Sequence, residues 1–231
     1  MRTCASRCRC GTRAGSCWRR VPACAKWPNA PTSCWPASAS PSSGRLKFQG
    51  REITGLPQHV FARIGIAKSF QITNVFKRLS AHENVRVAVQ MRHARWQLLA
   101  PRAGLHEVAE RADELLARVG LADQRQRPAA DLAHGQQRAL EVAMALAAEP
   151  TLLLMDEPTA GMSPEETRVM MDLIVQLAAE RSVILVEHKM KLVMGICERL
   201  LVLHHGEFLA EGTPEQIRAN DEVRRVYLGQ G

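Results

Sequence analysis

Apolar residues follow three rhythms along the chain, and each predicts a different kind of element. The first is the unbroken run Leu152 to Met155, closed by Asp156, Glu157 and Pro158. It predicts a strand buried on both faces of a parallel sheet, because a strand with one wet face alternates apolar and polar residues. Further strands are expected at Ile66–Phe70, Val183–Val186 and Leu200–Leu203, the last returning through His205-Gly206 to Phe208-Leu209, and a short one within 44–50. The second rhythm is helical. Val108, Ala112, Leu115, Leu116 and Val119 share one face of a helix over 104–119, with Glu107, Glu110, Arg111, Glu114 and Arg118 elsewhere, so that face is expected in the core. Helices are also expected at 56–64, at 80–96, up to Ala148 from an opening at Leu132-Ala133-His134-Gly135-Gln136-Gln137-Arg138, and at 214–218 and 222–227. Another, ending near Ala179, starts at Ser163, an N-cap with Glu166 three residues on as a capping box. The third rhythm is none at all. Residues 1 to about 40 show no countable period, and Pro22, Pro28, Pro31, Pro36 and Pro41 exclude a long helix.

Charge follows the same division. The chain of 231 residues has a formal charge of +8, which taken alone suggests an anionic partner. Residues 1–51 hold ten of the 31 Lys and Arg and no acid, so the rest carries 21 bases against 23 acids. A nucleic-acid partner is therefore not expected. Six of the seven cysteines precede residue 35, yet no C-x-x-C pair occurs and the first histidine is His59, which argues against zinc. A targeting leader would be basic and acid-poor in this way, but the frequent Pro and Cys do not suit an amphipathic presequence. No apolar run approaches the roughly 20 residues that a membrane span requires. The length suits one α/β domain with a helical insertion.

The candidate chemistry lies where the first rhythm stops. Asp156 and Glu157 stand at the carboxyl end of a strand, where open α/β sheets bind ligands. Two adjacent acids there can divide phosphoryl chemistry, one holding Mg²⁺ through water and one orienting the attacking water. Taken alone, LLLMDEP reads equally well as a strand followed by a capped helix, and His188 as a surface histidine. Their order along the chain changes the reading: Ser69-Phe70-Gln71, then LAHGQ at 132–136, LLLMDEP at 152–158, Ala160-Gly161-Met162-Ser163, and Glu187-His188.

This ordered set resembles the nucleotide-binding subunit of ABC transporters, over about Pro41 to Gly231. Within that family GREITGLPQHVFARIGIAKSFQ, DEPTAGMSPEE and the ending VRRVYLG are most similar to ATP-binding subunits of branched-chain amino acid importers. The resemblance implies a P-loop NTPase-like α/β fold, a parallel sheet flanked by helices, with a helical subdomain at about 72–150. It implies ATP and Mg²⁺ as cofactors, a second ABC ATPase subunit and membrane permease subunits as partners, and a peripheral place on the cytoplasmic face of the inner membrane. Asp156 would bind Mg²⁺, Glu157 would be the general base, His188 would reach the γ-phosphate, and Gln71 would sense phosphate and metal. Ala133, His134, Gly135 and Gln136 would form the signature turn, which with Ser163 faces the nucleotide of a head-to-tail partner. A helix amino terminus suits phosphate through its free N–H groups and dipole. Ala133 and His134 depart from the common LSGGQ, and the serine hydroxyl is lost.

One part of the pattern is missing. No G-x-x-x-x-G-K-[ST] occurs, and the expected place of its lysine, near residue 28, lies in a stretch without glycine between Cys17 and Ser43. A loop that wraps phosphate needs glycine for its φ values and close approach. Residues 1–40 read as irregular, disordered or out of frame, leaving 41–231 as an incomplete nucleotide-binding domain. Either the segment is a wrong-frame translation, or the chain is a degenerate subunit that lends its signature helix to a partner's nucleotide. In both cases the chain alone is expected to bind ATP poorly and hydrolyse it little.

Overall fold

A computed structural model describes residues 22–25, 44–69, 75–97 and 103–228 of the protein. Its centre is a six-stranded sheet built from β1 (Pro22–Ala25), β4 (Ile66–Ser69), β5 (Leu152–Asp156), β6 (Ser182–Glu187), β7 (Arg199–His204) and β8 (Glu207–Gly212). The order across the sheet is β4-β5-β6-β1-β7-β8. All neighbours run parallel except β7 and β8, which form an antiparallel edge. The apolar run of β5 pairs with β4 on one side and β6 on the other, Leu153 opposite Ala67 and Val183. Leu153 and Met155 are buried while Leu152 and Leu154 on the opposite face are half-buried, so the strand is drier on one face than its unbroken apolar run predicted.

The expectation of an irregular first segment fails at Pro22–Ala25. This strand lies between β6 and β7, with Ala23 opposite both Leu185 and Leu200. A parallel ladder is made by backbone groups alone, and two strands that do not pair with each other leave room for any short extended segment between them. Four residues carry too few side chains for a period to be read. The short strand expected at 44–50 is instead a two-stranded ribbon, Lys47–Phe48 (β2) against Arg51–Glu52 (β3), turning at Gln49 and Gly50, both at positive φ.

The helical face predicted from sequence is buried as expected, chiefly against neighbouring helices. Helix α1 (Gln58–Arg63) leads into β4, and α2 (Ala81–Gln97) packs on α3 (Ala103–Arg118). Val108, Ala112, Leu115, Leu116 and Val119 are all buried, in one core with Val85 and Val89 of α2 and Leu140 and Ala143 of α4 (His134–Leu146). Each fully buried leucine contributes about 1.5–3 kcal/mol. Helix α5 (Pro164–Ala178) begins at the expected capping box: Ser163 Oγ accepts from Glu166 N at 3.2 Å, and Glu166 Oε2 from Ser163 N at 3.0 Å. Helices α6 (Met190–Ile196) and α7 (Pro214–Ala219) flank the edge hairpin. The final helix expected at 222–227 is a single turn, Asp221–Val223, that widens into a π-turn at Arg224–Leu228, with the Tyr227 hydroxyl donating to Leu203 O at 2.5 Å. No described helix is long and apolar enough to cross a membrane.

Candidate functional site

The parallel strands β5 and β6 end side by side, and the residues that follow them meet. Asp156, the last residue of β5, is buried opposite Val186. Glu157 leaves the strand at φ 47°, in the left-handed region, with its N–H donating to Val186 O at 2.8 Å. Such a conformation costs a non-glycine residue about 1–3 kcal/mol and persists only where the surroundings over-determine it. The turn aims the Glu157 carboxylate at His188, with Oε1 3.7 Å from Nδ1. Glu157 keeps only 18% of its side-chain exposure and His188 keeps 51%, so the pair sits at the rim of the sheet, not inside it.

Glu187 holds this geometry, and the sequence reading did not assign it a role. The β6 alternation places Val183, Leu185 and Glu187 on the same buried face, and the glutamate is fully buried. Its Oε1 accepts from Thr159 N at 3.2 Å and from Thr159 Oγ1 at 2.5 Å, and its Oε2 from His188 N at 3.3 Å. Lys189 Nζ donates to Thr159 O at 3.0 Å. The turn after the acids is thus tied to the loop that carries His188 on both sides of that histidine. Val183–Val186 is an unbroken apolar run, so no alternation in the sequence marks the face that takes Glu187, and only the fold shows that this carboxylate is buried and requires partners.

The signature turn forms a second cluster. Gln136 is spent on its own helix, its Oε1 accepting from Ala133 N at 3.1 Å. Gln137 Nε2 reaches Ala129 O and Leu132 O, both at 3.1 Å, and secures the entry to α4. His134 Nε2 lies 3.1 Å from Ala160 O, and Gly135 N donates to Glu166 Oε1 at 3.0 Å. Ala133, His134, Gly135 and Gln136 therefore come together with Ser163 through Glu166, and the segment 159–163 joins this cluster to the acids. The hydrogen bonds from Ser163 and Gly135 hold the Glu166 carboxyl below the usual 4.5. Gln71, the remaining site residue expected from sequence, lies outside the described residues.

Carboxylates at a strand end supply the hard oxygen donors that a small divalent cation takes. Among the described residues no group of three or more His, Cys, Asp or Glu forms a metal cage. A cation held by one or two carboxylates, water and phosphate needs no such cage, so the donor set fits that mode.

Residues 36–160, more than half of the chain, match the ABC transporter family. The chain belongs to that family. Residues 209–231 also match the family described as branched-chain amino acid ATP-binding cassette transporter. The chain is 41% identical to the high-affinity branched-chain amino acid transport ATP-binding protein BraF of Pseudomonas aeruginosa, covering 86% of this chain and 81% of that one. It is 38% identical to LivG of Escherichia coli K12, at the same coverage. Among solved structures, cbiO1 of Clostridium perfringens, part of the ABC transporter complex cbiONQ, superposes with a TM-score of 0.73 at 25% identity, over 90% of this chain and 82% of that one. The ADP conformation of MJ1267, an ATP-binding cassette, gives 0.69 at 22% identity, over 84% and 80%. The P-loop NTPase-like α/β fold expected from the motifs is thus the observed one, and nucleotide binding is the property its family shares.

Proposed function

We propose that this chain is the ATP-binding subunit of an importer for branched-chain amino acids, peripheral on the cytoplasmic face of the inner membrane and docked on permease subunits. The 3.7 Å approach of Glu157 to His188 beside Asp156 carries the nucleotide part of this reading. The likeness to BraF and LivG supports the solute class. In this assignment Asp156 would hold Mg²⁺, Glu157 would take the proton of the hydrolytic water, and His188 would steady Glu157 and reach the γ-phosphate. Gln71 reports phosphate and metal to the helical subdomain. The bound ion supplies charge neutralisation at the phosphates.

The phosphate cradle is where the chain departs from this role. The residues after β1 contain no glycine before Gly44, so they do not suit a loop that wraps phosphate with its backbone. The chain therefore acts best through its signature helix, on a nucleotide held by a second ATPase subunit. By itself it hydrolyses ATP little.

Affinity capture of the chain from membranes, followed by an ATPase assay of the chain alone and of the captured complex, tests this. Permease subunits should co-purify, the isolated chain should hydrolyse no faster than its Glu157→Gln variant, and Gly135→Ala should weaken ATP binding by the mixed complex. Steady hydrolysis by the isolated chain that Glu157→Gln abolishes would overturn the dependence on a partner. Capture without any membrane subunit would overturn the importer role.

A further inference from the structure

One of the backbone donors at the start of α4 is already engaged. Gly135 N–H, at the first turn of a thirteen-residue helix, donates to a carboxylate oxygen of Glu166. The other oxygen of that carboxylate holds Ser163 N–H at the head of α5. The fit is close. A β-carbon added at Gly135 would stand 2.7 Å from Glu166 Oε1, 3.0 Å from Cδ and 3.1 Å from Cγ, so glycine is what allows the carboxylate this near the turn. His134 reinforces the same bridge from the other side, with its Nε2 against Ala160 O and within 3.3 Å of the β-carbon position of Gly161.

From this geometry we infer that Glu166 is an internal competitor for the signature turn. Its carboxylate holds the Gly135 N–H in the nucleotide-free chain and must withdraw before a phosphate can take that N–H. The inference rests on the reading of 132–136 as a phosphate-contacting turn. A carboxylate and a phosphate are both anions seeking the same donor at the positive end of the same helix. They cannot share it. If the phosphate enters while the carboxylate stays, two negative charges stand within a few ångströms, which disfavours the complex. Withdrawal of Glu166 also releases Ser163 N–H, so capture of phosphate by the signature turn loosens the head of α5 and the segment 160–163. Glu166 is thereby a positioning residue that links the two loops. His134 is the charged or titratable group facing Glu166 from α4 that influences its carboxyl.

The test follows the Gly135 amide by NMR in the ¹⁵N-labelled full chain assembled with the unlabelled second ATPase subunit that co-purifies with it, titrating with tripolyphosphate and, separately, with Mg·ATP. Wild type is compared with Glu166→Gln, which keeps the shape and an acceptor, and with Glu166→Ala. The half-saturating tripolyphosphate concentration at Gly135 should fall about tenfold in Glu166→Ala and by less in Glu166→Gln. The acid-range movement of the Gly135 amide in wild type should vanish in both variants. Equal half-saturation in all three proteins, with Gly135 responding, overturns the competition and leaves the phosphate reading standing. No response of Gly135 in any of them overturns the phosphate reading itself, and the competition with it. If Glu166→Ala does not fold, the wild type against Glu166→Gln comparison decides, because the glutamine retains the hydrogen-bonding shape without the charge.

Discussion

Glu187 and Glu166 each bind loops together at the carboxyl edge of the sheet, in opposite surroundings. Glu187 is fully buried and accepts from Thr159 N, Thr159 Oγ1 and His188 N. Glu166 lies near the surface and accepts from Gly135 N and Ser163 N. A buried carboxylate cannot exchange its partners for water, so its bonds are as permanent as the fold. A carboxylate near solvent can let go at small cost, because water replaces what it loses. The acids and His188 are therefore held rigidly, while the signature turn is held by a clasp that opens.

The sharpest way to break that contrast is at Glu187. Glu187→Ala leaves the Thr159 N–H and hydroxyl buried without their acceptor, and each such group costs about 1–3 kcal/mol. A fall of about 2–4 kcal/mol in unfolding free energy is expected, read from the denaturant midpoint. An unchanged midpoint would mean that the clamp does not hold the loops. Thr159→Val, which removes only the hydroxyl, should cost less than half as much in the same titration.

Ser163→Ala sharpens the other side of the comparison. It removes the hydroxyl that caps α5 and should cost about 1 kcal/mol, as N-cap losses do. Thermal denaturation reads this directly, and a loss equal to that of Glu187→Ala would erase the difference between the two regions.

Acid separates them further. The Glu166 carboxyl sits below 4.5, first through the Ser163 N–H and then through the Gly135 N–H. A lowered folded-state value means stability that is present above the unfolded value and lost as pH falls through the folded one. Wild-type melting temperature should therefore drop more steeply below about pH 4.5 than that of Glu166→Gln. Parallel curves would show that the clasp contributes nothing. Glu83, lowered by the Ser80 N–H and hydroxyl at the start of α2, adds a background of the same sign to both proteins.

The smallest effect concerns the rigid interior itself. Burial pushes the Cys197 thiol up to about 12, which leaves almost no thiolate at neutral pH. Mass spectrometry after alkylation at pH 8 should find Cys197 unmodified in the folded chain and modified only in denaturant. Rapid labelling under native conditions would show that the core around α6 opens.

The sequence by itself determined which segments are helices and strands wherever a period ran for several turns or residues. The buried face of α3 and the capping box at Ser163 were legible because both depend on neighbours within a few positions. So was the order of the motifs, and with it the family. Tertiary structure alone decided the rest. Pro22–Ala25 becomes a strand because β6 and β7 leave a slot between them, and nothing in four residues announces that. The positive φ of Glu157 follows from a hydrogen bond to Val186, on a strand reached only after all of α5. Gly135 meets Glu166 across 31 positions, and Thr159 meets Glu187 across 28. Periodicity records how a residue relates to its neighbours in the chain, whereas contacts of that span exist only once separate elements have packed.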